Sequence, residues 1–110
     1  MTNDEIDQKI AKLLGWEPKQ NALGLWQLEK PSGVISLGVG CVTAAECSKL
    51  VRKYSRSLDA WTEVEASLTF GQKEDLHDLL CDQLGCVEAV YATALQRCQG
   101  YLNIMQARVN

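Results

Sequence analysis

The chain has 110 residues, 46% of them hydrophobic and 23% charged, which are ordinary values for a globular protein and exclude a disordered or fibrous one. Its 11 basic and 14 acidic residues give a net charge of -3 and a pI near 5.1, so no general electrostatic attraction to nucleic acid or an anionic membrane is expected. This length predicts a single globular domain over residues 1–110.

The first ten residues, MTNDEIDQKI, are polar and acidic, whereas a secretory signal needs a basic start and then an apolar run. No stretch of the sequence approaches the roughly 18 consecutive apolar residues that span a bilayer. We therefore expect a soluble, cytoplasmic protein that is not inserted in a membrane.

A helix is predicted at the N-terminus, because Thr2 and Glu5 have the T-x-x-E spacing of a capping box. Gly15 is suited to the left-handed conformation that ends a helix, and Pro18 prevents the helix from resuming. The apolar positions recur at helical spacing and predict one buried stripe. They are Ile6, Ile10, Leu13 and Leu14.

Between Asn21 and Gly40 the pattern changes to alternating and β-branched apolar residues, which predicts a β-hairpin with strands near 24–29 and 33–39. The connecting sequence Lys30-Pro31-Ser32-Gly33 has turn chemistry. Two strands alone are marginal in water, so we expect a helix to cover one face of the hairpin.

Three helices are predicted in the middle of the chain, each after a side chain that can cap its first turn. The second of them organises the others, because Leu58, Trp61 and Leu68 recur on one of its faces. The predicted helices are 44–53 after Thr43, 58–68 after Ser57 or Asp59, and about 73–84 after Thr69, with Gly85 at its end.

The last helix is predicted over about 87–106, with an apolar stripe wide enough for burial along much of its length. Gly100 in its interior costs roughly 1 kcal/mol relative to alanine, so we expect close packing or a local bend there. The stripe consists of Val87, Val90, Tyr91, Ala94, Leu95, Cys98, Leu102 and Met105.

Together these elements predict an α+β fold. We expect a helix-rich single domain with a small antiparallel β-hairpin packed between or against helices.

Two segments resemble a known family. SLDAWTEVEASLT, residues 57–69, and YATALQRCQGYLNIM, residues 91–105, are similar to the paired motifs of small phage and prophage proteins with the phage ABA sandwich domain. Thr62 stands where the family has a histidine, and the segment 41–54 resembles an added helix. The resemblance implies a phage or prophage origin, an α/β sandwich fold and no settled activity. Thr93, Gln96 and Arg97 match the closing motif, either as structural residues or as part of a binding surface.

Cys41, Cys47, Cys81, Cys86 and Cys98 are an odd number of cysteines without a repeating frame. In a cytosolic protein this predicts free thiols that serve as small buried apolar groups.

The nearest arrangement to a metal site is His77 with Cys81, one helical turn apart, followed by Cys86. A fourth zinc ligand would have to be Cys98 or Asp82. The spacing is not that of a recognised paired cysteine motif, so the sequence predicts buried thiols, a surface histidine, and no metal or other cofactor.

An anion-binding site is a second hypothesis. Gly38 and Gly40 precede a capped helix and could present amides to a phosphate, while Tyr54 could supply a stacking face beside a basic stretch. The ordinary alternatives are glycines that turn the chain and a solvated basic face. The basic stretch consists of Lys49, Arg52, Lys53 and Arg56.

The helix at 73–84 is predicted to point leucines inward and carboxylates outward. Such an acidic face could imitate a nucleic acid or pair with a partner's basic groove, although a solvated face is the simpler interpretation. The inward residues are Leu76, Leu79, Leu80 and Leu84, and the outward ones are Glu74, Asp75, Asp78 and Asp82.

Catalysis is not predicted, because the chain has one histidine and no nucleophile beside it in a known frame. The leading hypothesis is a non-enzymatic phage-type protein in the host cytoplasm that binds and inhibits a host bacterial protein, such as a defence component, in the manner of an anti-CRISPR protein. The alternatives are a sponge for a signalling nucleotide and a homodimeric structural or regulatory phage protein. Binding is assigned to Gly38, Gly40, Lys49, Arg52, Lys53, Arg56 and Arg97.

Overall fold

A computed structural model of the protein describes residues 1–30 and 36–109. The chain divides into two compact units, Met1–Arg52 and Lys53–Asn110. Helices dominate, and the strands form one small antiparallel sheet, so the predicted α+β class is confirmed. That residues 1–110 form one domain stays a prediction.

Helix α1 spans Asn3–Leu13 and has the predicted ends. The Thr2 hydroxyl accepts a hydrogen bond from the Glu5 amide at 3.2 Å. Gly15 has a φ of 96°, and the amides of Gly15 and Trp16 donate back to carbonyls in the last turn at 3.1 and 2.9 Å. This paired arrangement is a Schellman motif, which satisfies carbonyls that a helix end leaves without partners.

The predicted hairpin belongs to a three-stranded sheet with the order β1-β2-β3. Strand β1 spans Glu17–Gln20, β2 spans Trp26–Glu29 and β3 spans Ser36–Cys41, and both pairings are antiparallel. The sequence did not predict β1, because the residues EPKQ lack apolar alternation; backbone pairing with β2 makes it a strand. Pro18 is tolerated there because β1 is an edge strand. The predicted turn at Pro31 to Gly33 lies outside the described residues.

Helix α2 spans Ala44–Ser48 and packs on all three strands, which confirms that a helix covers the sheet. The hydroxyl of Thr43 caps it, as predicted, by accepting from the Glu46 amide at 3.1 Å. The predicted extension to residue 53 is wrong. The helix ends in a tightened turn in which the Lys49 and Leu50 amides bond three residues back. Cys47 and Leu28 are buried in this unit.

The second unit contains four helices in its described part: α3 at Leu58–Ser67, α4 at Phe70–Leu84, α5 at Cys86–Val90 and α6 at Ala94–Val109. Ser57 caps α3 by accepting from the Ala60 amide at 3.3 Å, so Ser57 rather than Asp59 is the cap. Trp61 and Leu68 are buried as predicted, whereas Leu58 is 53% exposed and its inward placement is wrong.

Helix α4 opens with the predicted capping box. The Thr69 hydroxyl accepts from the Gln72 amide at 3.2 Å, and the Thr69 amide donates to the Gln72 side chain at 2.8 Å. Because Thr69 itself is the cap, the helix starts at Phe70, earlier than expected. Leu76 and Leu80 are buried, and the four acidic side chains of this helix are exposed, as predicted.

The predicted long final helix is broken in two, which corrects the sequence prediction. A second reciprocal capping box starts α6: the Gln96 amide donates to the Thr93 hydroxyl at 3.1 Å, and the Thr93 amide donates to the Gln96 side chain at 2.9 Å. A capped helix start cannot lie inside a continuous helix, so α5 ends before Thr93. Residues of α5 and α6 therefore do not share one continuous apolar stripe.

Helix α6 packs against α4 and α3. A β-carbon built on Gly100 would lie 2.8 Å from Leu76 Cδ1, so the predicted close packing at this glycine is confirmed. The Trp61 and Tyr101 rings meet edge to face at a centroid distance of 6.1 Å. Such an aromatic pair contributes beyond its buried area.

Candidate partner-binding surface on the second unit

Helix α5 presents apolar side chains to solvent. Val87, Val90 and Tyr91, the residue that follows the helix, are 72%, 64% and 78% exposed. Their spacing of three and four residues places them on one face. The sequence predicted them inside the core, and this is wrong: Ala89 and Ala92 are the buried residues of this segment. We call Val87, Val90 and Tyr91 the α5 face.

Helix α5 packs against α4, and its C-terminal end is held by a side chain of α6. Gly85, with a φ of 89°, separates α5 from α4. At the other end Arg97 donates from Nε to the Ala92 carbonyl at 3.0 Å and from Nη2 to the Val90 carbonyl at 3.1 Å. A guanidinium at a helix C-terminus is favourable because the unpaired carbonyls there carry partial negative charge. Arg97, predicted as a contact residue, thus has a structural role in orienting the α5 face.

A cleft of about 260 Å³ adjoins the α5 face, and Val90 lies in its wall. Its apolar lining comes from α3, α4 and α5 and from Leu68, which follows α3, whereas α6 contributes Arg97. Lys73, Arg97, Glu65 and His77 supply its ionisable groups. Drug-sized ligands occupy pockets of roughly 300–1,000 Å³, so this cleft is suited to one side chain of a partner.

The two glycines of the predicted anion site belong to a strand and precede a short helix. Gly38 and Gly40 lie in β3, and Gly40 has a φ of 96°. The helix that follows has five residues, and its first turn is already capped by Thr43. Gly40 therefore has a backbone conformation that favours glycine, and a binding role for Gly38 and Gly40 stays a prediction.

The basic stretch does not lie on one helix face. Lys49 and Arg52 belong to the first unit, and Lys53 and Arg56 to the second. Tyr54 is wholly buried, and its hydroxyl donates to the Glu63 carboxylate at 3.1 Å. The predicted stacking face is therefore wrong, because a base cannot reach this ring.

Three cysteines, Cys41, Cys47 and Cys98, are buried as predicted. Burial, helped by the adjacent Cys41 thiol and the nearby Glu46, raises the pKa of the Cys47 thiol. Cys81 is only partly buried and Cys86 is exposed, so the prediction of buried thiols is wrong for Cys86.

His77 Nε2 lies 3.5 Å from the Cys81 sulfur. Desolvation, then the Cys86 thiol, then Asp78 and Asp82, raise the pKa of Cys81. Within residues 1–30 and 36–109, no group of three or more histidine, cysteine, aspartate or glutamate side chains is arranged to hold a metal ion.

The sequence does contain a signal for the separate helix α5. Thr93 and Gln96 have the same T-x-x-Q spacing that correctly predicted the start of α4. This spacing places a helix start at Thr93, so Val87, Val90 and Tyr91 precede α6 and do not belong to its stripe.

No family model, no curated protein and no solved structure matches the chain. The resemblance of residues 57–69 and 91–105 to the phage ABA sandwich family stays a prediction. In the part of the chain that is described, no helix is long and apolar enough to cross a membrane.

Proposed function

We propose that this protein is a non-enzymatic binding protein of phage type whose α5 face docks on a host bacterial protein and inhibits it. The observation that supports the proposal is the exposure of Val87, Val90 and Tyr91 together on one short, anchored helix. Clustered apolar side chains at a surface mark interaction sites more often than scattered ones do.

The composition of this surface suits a protein partner. Tyrosine is enriched among the residues that dominate binding energy, because its ring buries a large area while its hydroxyl stays hydrogen-bonded. Tyr91 has this character and is flanked by two valines. Helix α5 is fixed by Arg97 before a partner arrives, so binding would cost little ordering of this segment.

The cleft beside the α5 face adds polarity to the surface. The lining of this cleft includes two basic side chains, Lys73 and Arg97, and one acidic side chain, Glu65. A partner side chain that enters it would therefore be favoured if it carried a carboxylate. The central apolar residues and the ionisable groups around the cleft resemble the core and rim of an ordinary interface.

The host and the inhibitory role come from the resemblance of the two motifs to phage proteins. An anti-defence role, as in anti-CRISPR proteins, fits a small chain whose sequence contains no recognised catalytic motif. Its single histidine, His77, lies beside Cys81. A nucleotide sponge has less support, because Tyr54, the predicted stacking residue beside its basic stretch, is buried.

A capture experiment tests the proposal. Tagged protein is incubated with bacterial lysate in three forms: wild type, the double variant Val87→Asp with Tyr91→Asp, and the control Leu58→Asp, which alters an exposed leucine of another helix. We expect one stoichiometric host protein with the wild type and the control, and its loss with the double variant. Retention by the double variant would contradict the assignment of the surface.

Two further results would redirect the proposal. If wild-type protein captures nothing and elutes as a dimer that the double variant converts to a monomer, the α5 face is a self-association surface. If the melting temperature rises with one cyclic nucleotide, the sponge hypothesis replaces the inhibitor, because a ligand that binds only the folded state stabilises it.

A further inference from the structure

The junction between α4 and α5 brings two thiols and an imidazole together. Cys81 lies in the last turn of α4 and Cys86 begins α5, with Gly85 between the helices. The Cys81 sulfur lies 3.5 Å from His77 Nε2. The Gly85 amide donates to the Cys81 carbonyl at 2.8 Å, so the turn between the helices brings Cys86 next to the last turn of α4. The proposed function uses neither of the two thiols.

A second pair of thiols provides an internal comparison. Cys41 ends β3 and Cys47 lies in α2, which packs on that strand, but both are buried, at 6% and 0% exposure. Cys86 is exposed and Cys81 is partly so. The two pairs therefore differ in solvent access, which together with thiolate character decides which cysteines react with soluble oxidants.

We propose that Cys81 and Cys86 form an oxidisable dithiol, a modification site at which hydrogen peroxide converts the two neighbouring thiols into an intramolecular disulfide.

The disulfide forms in two steps. Peroxide first oxidises the exposed Cys86 sulfur to a sulfenic acid, and its O–O bond breaks with release of one water. The Cys81 sulfur then attacks the Cys86 sulfur, the S–O bond breaks, and the hydroxyl leaves with the Cys81 proton as a second water. The dithiol loses two electrons and two hydrogens, and peroxide takes up both.

His77 has a defined place in the second step. Burial, the Cys86 thiol and the carboxylates of Asp78 and Asp82 raise the pKa of Cys81, so this thiol keeps its proton and needs a base when it attacks. His77 Nε2 is 3.5 Å from the Cys81 sulfur and can accept that proton. The order of events follows from access: the exposed sulfur is oxidised first, and the sulfur beside the imidazole resolves it.

The test treats the full-length protein with hydrogen peroxide and follows its intact mass and its peptides. We expect one disulfide, Cys81 to Cys86, to form while Cys41 and Cys47 remain thiols. With Cys81→Ser, the Cys86 sulfenic acid should persist and be trapped by dimedone. With Cys86→Ser, the fast phase of oxidation should disappear, and Cys41→Ser is the matched control that changes neither.

His77→Gln separates a role in proton transfer from a merely structural one. The first oxidation should keep its rate while disulfide closure slows about tenfold, so that dimedone-trapped protein accumulates. Equal closure rates in this variant and the wild type would overturn the role of His77. A Cys41 to Cys47 disulfide forming first, or disulfide-linked dimers through Cys86 in the wild type, would overturn the proposal itself.

Discussion

Replacing Gly100 by alanine tests how closely α6 packs on α4. The new β-carbon would lie 2.8 Å from Leu76 Cδ1, closer than carbon atoms approach in folded proteins, and 3.6 and 3.7 Å from δ-carbons of Leu80 and Leu79. Leu76 is buried, so its side chain would have to shift within the core to admit the new methyl group. Gly71, in the first turn of α4, is the control, because a β-carbon there meets nothing within 4 Å.

Two opposing effects determine how much Gly100→Ala changes the free energy of unfolding. Alanine gains about 1 kcal/mol over glycine in a helix interior. Overpacking a filled core costs about 1–3 kcal/mol. We therefore expect Gly100→Ala to lower the free energy of unfolding by about 1 kcal/mol, a fall of about 4 °C in melting temperature. Gly71→Ala should raise the free energy of unfolding by about 0.5 kcal/mol, since only the propensity gain applies.

Urea unfolding followed by circular dichroism measures both variants. Combining Gly100→Ala with Leu76→Ala should give a double variant that is more stable than the sum of the two changes predicts, by at least about 0.5 kcal/mol, because the clash is removed. If Gly100→Ala stabilises the protein as much as Gly71→Ala does, the close contact between α4 and α6 is refuted.

Three further predictions concern α5, α6 and their surroundings. Thr93→Ala should lower the free energy of unfolding by about 1 kcal/mol because α6 loses its cap, whereas Thr62→Ala, inside an exposed part of α3, should not destabilise. Arg97→Ala should speed amide hydrogen exchange in α5, measured by mass spectrometry, because the Val90 and Ala92 carbonyls lose their donor. Burial raises the pKa of Tyr101 above its ordinary value of 10.0, so the folded state holds a proton that the unfolded state releases. The free energy of unfolding should therefore fall as pH rises from about 10 through the raised folded-state pKa, and Tyr101→Phe should reduce that fall.

The outcomes that would contradict these predictions are distinct. Equal effects of Thr93→Ala and Thr62→Ala would mean that the cap contributes nothing to α6. Unchanged exchange in α5 after Arg97→Ala would remove its structural role. A pH dependence that responds to Tyr91→Phe, at an exposed position, and not to Tyr101→Phe would mean that burial of Tyr101 is not the cause.

Capping side chains allowed most helix starts to be predicted from the sequence. Thr2, Thr43, Ser57 and Thr69 each accept the hydrogen bond that the sequence predicted for them. These signals are local, because cap and amide lie three residues apart and need no tertiary partner. The Schellman motif at Gly15 is local for the same reason.

The features that the sequence did not predict depend on contacts between residues far apart in the chain. Strand β1 is polar, and only its pairing with β2 identifies it. Tyr54 looked like a surface residue within a basic stretch, yet it is buried with its hydroxyl on Glu63. The exposure of Cys86 depends on the turn at Gly85, which places it at the start of a separate helix.

Photocrosslinking in bacterial cells tests most directly whether the α5 face is the binding surface. A photoreactive benzoylphenylalanine replaces Tyr91 in one form of the protein and Leu23, an exposed residue of the first unit, in another. We predict one crosslinked host protein from position 91 and none from position 23. A crosslink from position 23 with none from position 91 would contradict the proposed surface.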